Sequence, residues 1–227
     1  MSFIPGMFPA GAVASQVITP PSLTFIGQTA DTADLTTYTF TNHAIGAADV
    51  TRRVVVAVSL GFLAASSQTL ASATIGGIAA TIHVQVGSGD CVAFISALVP
   101  TGTTATIVVT ASAAARRAAV AVYRAINETV ATPHATMTDN TLTSATLSGT
   151  INIPANGWVV AACQFNGNVT TTWVGVTQQY DALYSDLNVR YSGGFSSGLP
   201  LQTGRTVSAT ASVVPGVNPR LAAMSWG

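Results

Sequence analysis

The chain has no lysine and one glutamate. Its eight basic residues are all arginine, and Glu128 with seven aspartates brings the formal net charge to zero. Charged residues make up 7% of 227 positions, against about 25% in ordinary soluble domains. No basic run is longer than Arg52-Arg53 or Arg116-Arg117, and neighbours on a strand point to opposite faces. The basic stripe that nucleic-acid binding requires is therefore missing.

Cysteine is scarce. Cys91 and Cys163 sit in apolar, strand-like runs, where a free thiol behaves as a small hydrophobe. A bond between them stays open, but two cysteines make no disulfide framework. Histidine is limited to His43, His83 and His134, with no His-x-His or His-x-x-x-His spacing, so no local zinc motif exists. Phosphate-loop, dinucleotide and nucleophile-elbow patterns are absent too, and Gly76-Gly77 and Gly193-Gly194 read as turn glycines. Asp181 and Asp186 are the one acid pair near aromatic side chains, and nothing around them signals the raised pKa a glycosidase acid needs. The sequence thus points away from an enzyme and from any metal or cofactor.

Long apolar runs are missing as well. Residues 54–65 form the longest and include Gly61, short of the roughly 20 residues a membrane-spanning helix requires. Their Val-rich start reads as a strand buried on both faces. The N-terminus lacks a basic region, and Pro5, Gly6 and Pro9 interrupt its apolar residues, which argues against a signal peptide.

What the chain does contain is threonine, serine and short alternating apolar runs, the composition of strands rather than helices. Mean hydropathy is high, at +0.49. A monomer of 23.0 kDa exposes about 9,600 Å². Sixteen formal charges are few for that area, so hydroxyl and amide groups or neighbouring subunits must cover the rest. Strand-like runs succeed one another from residue 22 onward. Residues 104–126 read as a central hairpin broken at Ala113-Ala114-Ala115, and residues 73–86 as a hairpin turned at Gly76-Gly77. Residues 127–143 form a polar crossover between two halves. Residues 178–186 are the one candidate for a helical turn.

An internal echo accompanies this pattern. Residues 106–112 and 117–123 resemble residues 206–212 and 220–226, and residues 52–58 resemble 157–163. It fits one sandwich with two related halves, or two stacked sandwiches. Residues 1–20 carry Pro5, Pro9 and Pro20 with apolar Phe3, Ile4, Met7 and Phe8. Disordered tails are usually polar, so this segment reads as an extended anchoring arm before a single β-sandwich domain spanning residues 21–227. Trp173, Tyr180, Tyr184 and Tyr191 concentrate aromatic faces among amide and acidic side chains. They are the candidate contacts for a glycan or a partner protein.

The runs Ala73-Thr-Ile-Gly-Gly-Ile-Ala-Ala, Val99-Pro-Thr-Gly-Thr-Thr-Ala-Thr-Ile-Val-Val-Thr and Ala119-Val-Ala-Val-Tyr-Arg, with Gly157-Trp-Val-Val-Ala-Ala and the terminal Ala222-Ala-Met-Ser-Trp226, resemble the jelly-roll virion proteins of tailed bacteriophages and phage-like particles. The resemblance spans about residues 22–226 and rests on turn and strand patterns. It implies an all-β, antiparallel sandwich of jelly-roll type. It also implies a head decoration, head spike or tail-fibre subunit, made in the host cytoplasm and placed on the virion surface. Such subunits form homo-oligomers, here a trimer or pentamer, and would hold capsid or tail proteins through the arm. The alternative is a module that binds a host surface polysaccharide. Neither reading involves nucleic acid or membrane.

Overall fold

The computed structural model describes residues 19–61, 68–128, 130–142, 144–184, 188–216 and 218–227. Those residues form antiparallel strands and no helix. The first half of the chain supplies β1 (Ser22–Asp31), β2 (Leu35–Ala44), β3 (Arg53–Gly61), β4 (Leu70–Ile75), β5 (Ile78–Ala79), β6 (Thr81–Val86), β7 (Cys91–Leu98), β8 (Thr104–Ala115) and β9 (Arg117–Ile126). The second half supplies β10 (Ala135–Asp139), β11 (Thr146–Ile153), β12 (Gly157–Asn166), β13 (Thr171–Val174), β14 (Thr177–Tyr184), β15 (Val189–Leu199), β16 (Gln202–Ala211) and β17 (Arg220–Trp226).

Four sheets result. The first outer sheet is ordered β2-β8-β4-β5, and the first inner sheet β1-β9-β3-β7-β6. The second inner sheet is β10-β17-β12-β15-β14, and the second outer sheet β11-β16-β13. Apart from the hairpins β4–β5, β6–β7 and β14–β15, chain neighbours lie in facing sheets, a strand order compatible with the jelly-roll type. Three apolar cores separate the four layers. Val54, Val56 and Val58 meet Tyr38, Ile107 and Val109 in the first sandwich. Val159, Ala161 and Phe165 meet Leu147, Val207 and Ala209 in the second. Between them, Val55, Ala57 and Phe94 of one inner sheet meet Trp158, Val160, Ala162 and Met224 of the other. The single sandwich expected for residues 21–227 is thus doubled, the stacked arrangement that the sequence echo left open.

The two halves share one topology. Replacing β1, β9, β3, β7 and β6 by β10, β17, β12, β15 and β14 turns one inner sheet into the other in the same order. The outer sheets match likewise once β5 is set aside. Matched residues make matched bonds. Thr37 and Thr110 pair across strands at 3.3 Å, as Thr146 and Thr210 do at 3.0 Å. Ser112 Oγ accepts the Thr69 N–H at 3.0 Å, and Ser212 Oγ accepts that of Thr170 at 3.1 Å. The echo is structural as well as compositional.

Three local expectations are corrected. Residues 104–126 are not a hairpin: β8 pairs β2 and β4, whereas β9 pairs β1 and β3. The chain crosses the first core at Arg116, and the two strands face each other instead of lying side by side. An apolar alternation fits both arrangements. Residues 178–184 belong to strand β14, not to a helical turn. Gly193 and Gly194 lie within β15, where any side chain would strike the Tyr180 ring or the β14 backbone. By contrast, Gly76 and Gly77, at φ 61° and 78°, do make the two-residue turn joining β4 to β5. β3 is buried on both faces as expected, and the polar crossover shortens to residues 127–134 because β10 follows it.

Trp226 is fully buried in the seam between the sandwiches. Its ring meets Trp158 at 5.6 Å and His83 at 5.0 Å, and its indole N–H donates to the Val130 carbonyl at 3.0 Å. Trp226→Ala should lower unfolding free energy by about 4 kcal/mol in urea denaturation. Val174→Ala, at a position 60% exposed, should stay within about 0.5 kcal/mol of the parent.

Candidate functional site

A group of buried charged, amide and aromatic side chains converges on the seam between the inner sheets. Its middle is made of small side chains, Ala57, Ala121, Ala162 and Ala222, which let the sheets approach closely. Aromatic and charged groups gather toward its rims.

At one rim, β9 and β17 each begin with a buried arginine, Arg117 and Arg220. Arg117 Nε donates to the Tyr191 hydroxyl at 3.2 Å, and Arg220 Nε donates to the Asp90 carbonyl at 3.2 Å. Ser59 Oγ donates to Gln164 Oε1 at 2.6 Å, while Gln164 Nε2 donates to Asp90 Oδ1 at 2.6 Å. Asn166 Nδ2 donates to Asp90 Oδ2 at 2.8 Å. Buried carboxylates need such partners, and these bonds run between the two halves of the chain. A cavity of about 10 Å³, lined in part by Gln28, Ser59, Cys163 and Tyr191, adjoins them. It has room for about one water molecule.

At the other rim sit Arg53, His83, Ser96, Glu128, Trp158 and Trp226. The Arg53 guanidinium lies 5.3 Å from the centre of the Trp226 ring, and its Nη1 donates to Ser96 Oγ at 3.2 Å. His83 Nε2 bonds the same hydroxyl at 2.7 Å. The Trp158 indole N–H donates to Glu128 Oε1. Glu128 belongs to the 127–134 crossover, so two indole N–H groups hold that crossover against the seam. Burial pushes the Glu128 carboxyl up to about 7, against the pull of Trp158 and Arg53. Burial, aided by the Arg53 charge, pushes the His83 imidazole down to about 4. Sequence reasoning passed over Glu128. Its being the only glutamate, between the two halves, was the available signal.

The four aromatic candidates do not form one surface. Tyr180, Tyr184 and Tyr191 come together on β14 and β15, against Ala119 of the first sandwich. Tyr180 stacks on Phe25 at 5.7 Å, Tyr184 meets Tyr191 edge-on at 5.2 Å, and the Tyr184 hydroxyl donates to Gln28 Oε1 at 2.9 Å. Tyr191 is buried. Burial raises the Tyr184 hydroxyl to about 12. Trp173 packs instead against the second sandwich's own core and donates to Ser192 Oγ at 2.8 Å. All four therefore fasten sheets. Asp181 is held by Arg190 at 3.6 Å and by the Thr171 N–H at 3.2 Å. Asp186, Phe3, Ile4, Met7 and Phe8 lie outside the described residues.

The cysteines are free and buried, Cys91 in the first core and Cys163 in the second, on opposite sides of the seam. Burial lifts the Cys91 thiol to about 11 and raises that of Cys163 as well. Thiolate is the reactive form. Neither should react with a thiol reagent at neutral pH until denaturant is added, when both should titrate. Early labelling of either would contradict the burial.

The two shifted rim groups give opposite pH trends. Glu128 holds its proton more tightly folded than unfolded, so its contribution is full below the ordinary 4.5 and lost as pH rises through about 7. The neutral His83 contributes fully above the ordinary 6.5 and loses this as pH falls through about 4. Glu128→Gln should remove the falling limb, so that its stability advantage over the parent grows as pH rises from 4.5 to 7. Urea unfolding across that window checks this, and parallel profiles would refute the assignment.

No protein-family model matches this sequence, and no curated protein matches it.

Proposed function

We propose that this chain is a non-enzymatic structural subunit on the surface of a phage or phage-like particle, acting as a head decoration, a head spike or a tail-fibre component. The observation that carries the reading is the neutrality of the two outer faces. On the first outer sheet, Thr37, Thr110 and Ser72 form one cross-strand row and Thr39, Val108 and Thr74 the next. On the second, Thr146, Thr210 and Thr172 form one row and Ser148, Ser208 and Val174 the next. None of these side chains is charged.

Folding thins the charge further. Arg52, Arg117, Arg190, Arg220 and Asp90 are buried, so five of the fifteen formal charges among the described residues leave the surface. Arg52 spends its guanidinium on the carbonyls of Gly46, Val99, Thr101 and Gly102. A sheet face of neutral, mostly hydroxyl side chains can be covered by another subunit without desolvating ions. That suits a tightly packed homo-oligomer, a trimer or pentamer, on a particle surface. The resemblance in strand and turn patterns supports the same reading, with residues 1–20 as the tie to capsid or tail proteins.

Light scattering on a sizing column should give a closed oligomer of the 23.0 kDa chain. Thr110→Arg or Thr210→Arg should lower that mass while leaving the thermal midpoint in place. Deleting residues 1–20 should leave the fold intact and abolish incorporation into particles. A parent protein that is monomeric throughout would refute the assembly reading.

A further inference from the structure

We propose that the groove between β14 and β15 is a binding site for a neutral oligosaccharide. The groove is a shallow, open hollow of about 440 Å³ lined by Thr177, Gln179, Phe195, Ser196, Ser197 and Leu199. That volume falls within the range of about 300–1,000 Å³ usual for small-ligand sites. None of the four aromatic residues that the sequence singled out lines it, although Gln179 adjoins Tyr180 on β14, and its lining lies on the second inner sheet and not on the outer-sheet rows, so it stands apart from the assembly reading.

The local geometry comes from a bulge. The β14–β15 register shifts between Gln178 and Tyr180, which puts Gln179 out of the ladder on an edge strand. Its Nε2 donates to the Thr177 carbonyl at 3.2 Å, and its amide oxygen has no partner among the described residues. Phe195 is half-buried opposite Thr177. Its ring is braced edge-on by Tyr123 at 6.0 Å, so it offers a fixed apolar surface.

The lining selects the ligand class. It holds no charged side chain, so an ionic ligand would lose water without gaining a counter-charge. A wholly apolar ligand would strip water from three hydroxyls and an amide and return no hydrogen bonds. A neutral ligand carrying both hydroxyls and an apolar ring face satisfies the polar rim and Phe195 together.

The test is a glycan array of neutral and acidic oligosaccharides, probed with the labelled full-length protein, Ser197→Trp and Gln179→Ala. Ser197 is exposed, so the indole should fill the groove without entering a core. The expected result is binding to at least one neutral glycan, loss of that binding in Ser197→Trp, and about a tenfold weakening in Gln179→Ala, with thermal midpoints unchanged. Capture of no neutral glycan, or a preference for acidic ones, would overturn the proposal. So would parental binding by Ser197→Trp, or by Gln179→Ala should the tryptophan variant not fold.

Discussion

The burial of both faces of both inner sheets is the constraint on which the rest depends. A sheet covered on one side can alternate apolar and polar residues, but one covered on both sides cannot. β3, β9, β12 and β17 accordingly carry almost no exposed side chain along their lengths. Polar groups are pushed to strand ends, where they meet partners from the opposite sandwich. Arg117 and Arg220 open β9 and β17 at one rim, and Arg53 opens β3 at the other. The positions of the buried charges follow from where the inner strands stop.

This explains what could be read from the chain. The doubly buried β3 was visible as an unbroken Val-rich run, and the β4–β5 turn was visible because Gly-Gly meets its φ requirement. The echo pointed to the second half. Other features were illegible for a common reason: periodicity tells which residues share a face, but not what lies opposite that face. Residues 104–126 alternate as hairpin strands would, yet they pack across a core. Gly193 and Gly194 read as turn residues because a sequence does not show that the Tyr180 ring and the β14 backbone need the space beside them. The aromatic cluster was found, but its role was set by Phe25, Gln28 and Ala119, which lie in the first half of the chain.

The repeat also shows where the two halves were free to diverge. Positions facing the outside kept matched hydroxyls, as Thr110 with Thr210 and Ser112 with Ser212 show. Positions facing the seam are mixed: Arg117 and Arg220 still correspond, but others differ, because each must fit its partner and not its counterpart. Tyr123 and Trp226 each stand six residues after the arginine that opens β9 or β17, and both enter the central core. Tyr123 meets Phe25 and Phe195, whereas Trp226 meets Trp158, His83 and the Arg53 guanidinium.

The two outer sheets are the first and last layers of the stack, and they carry related rows of neutral side chains. One polypeptide is therefore a strut with similar ends. A surface that accepts one end meets a second acceptor on the far side of the same molecule, fixed at four sheet thicknesses rather than by a flexible linker. Contacts made through such ends propagate along the stacking axis unless a rotation closes them. Were copies of this chain to stack through these ends, the angle between the first and fourth layers would decide between a ring and a column.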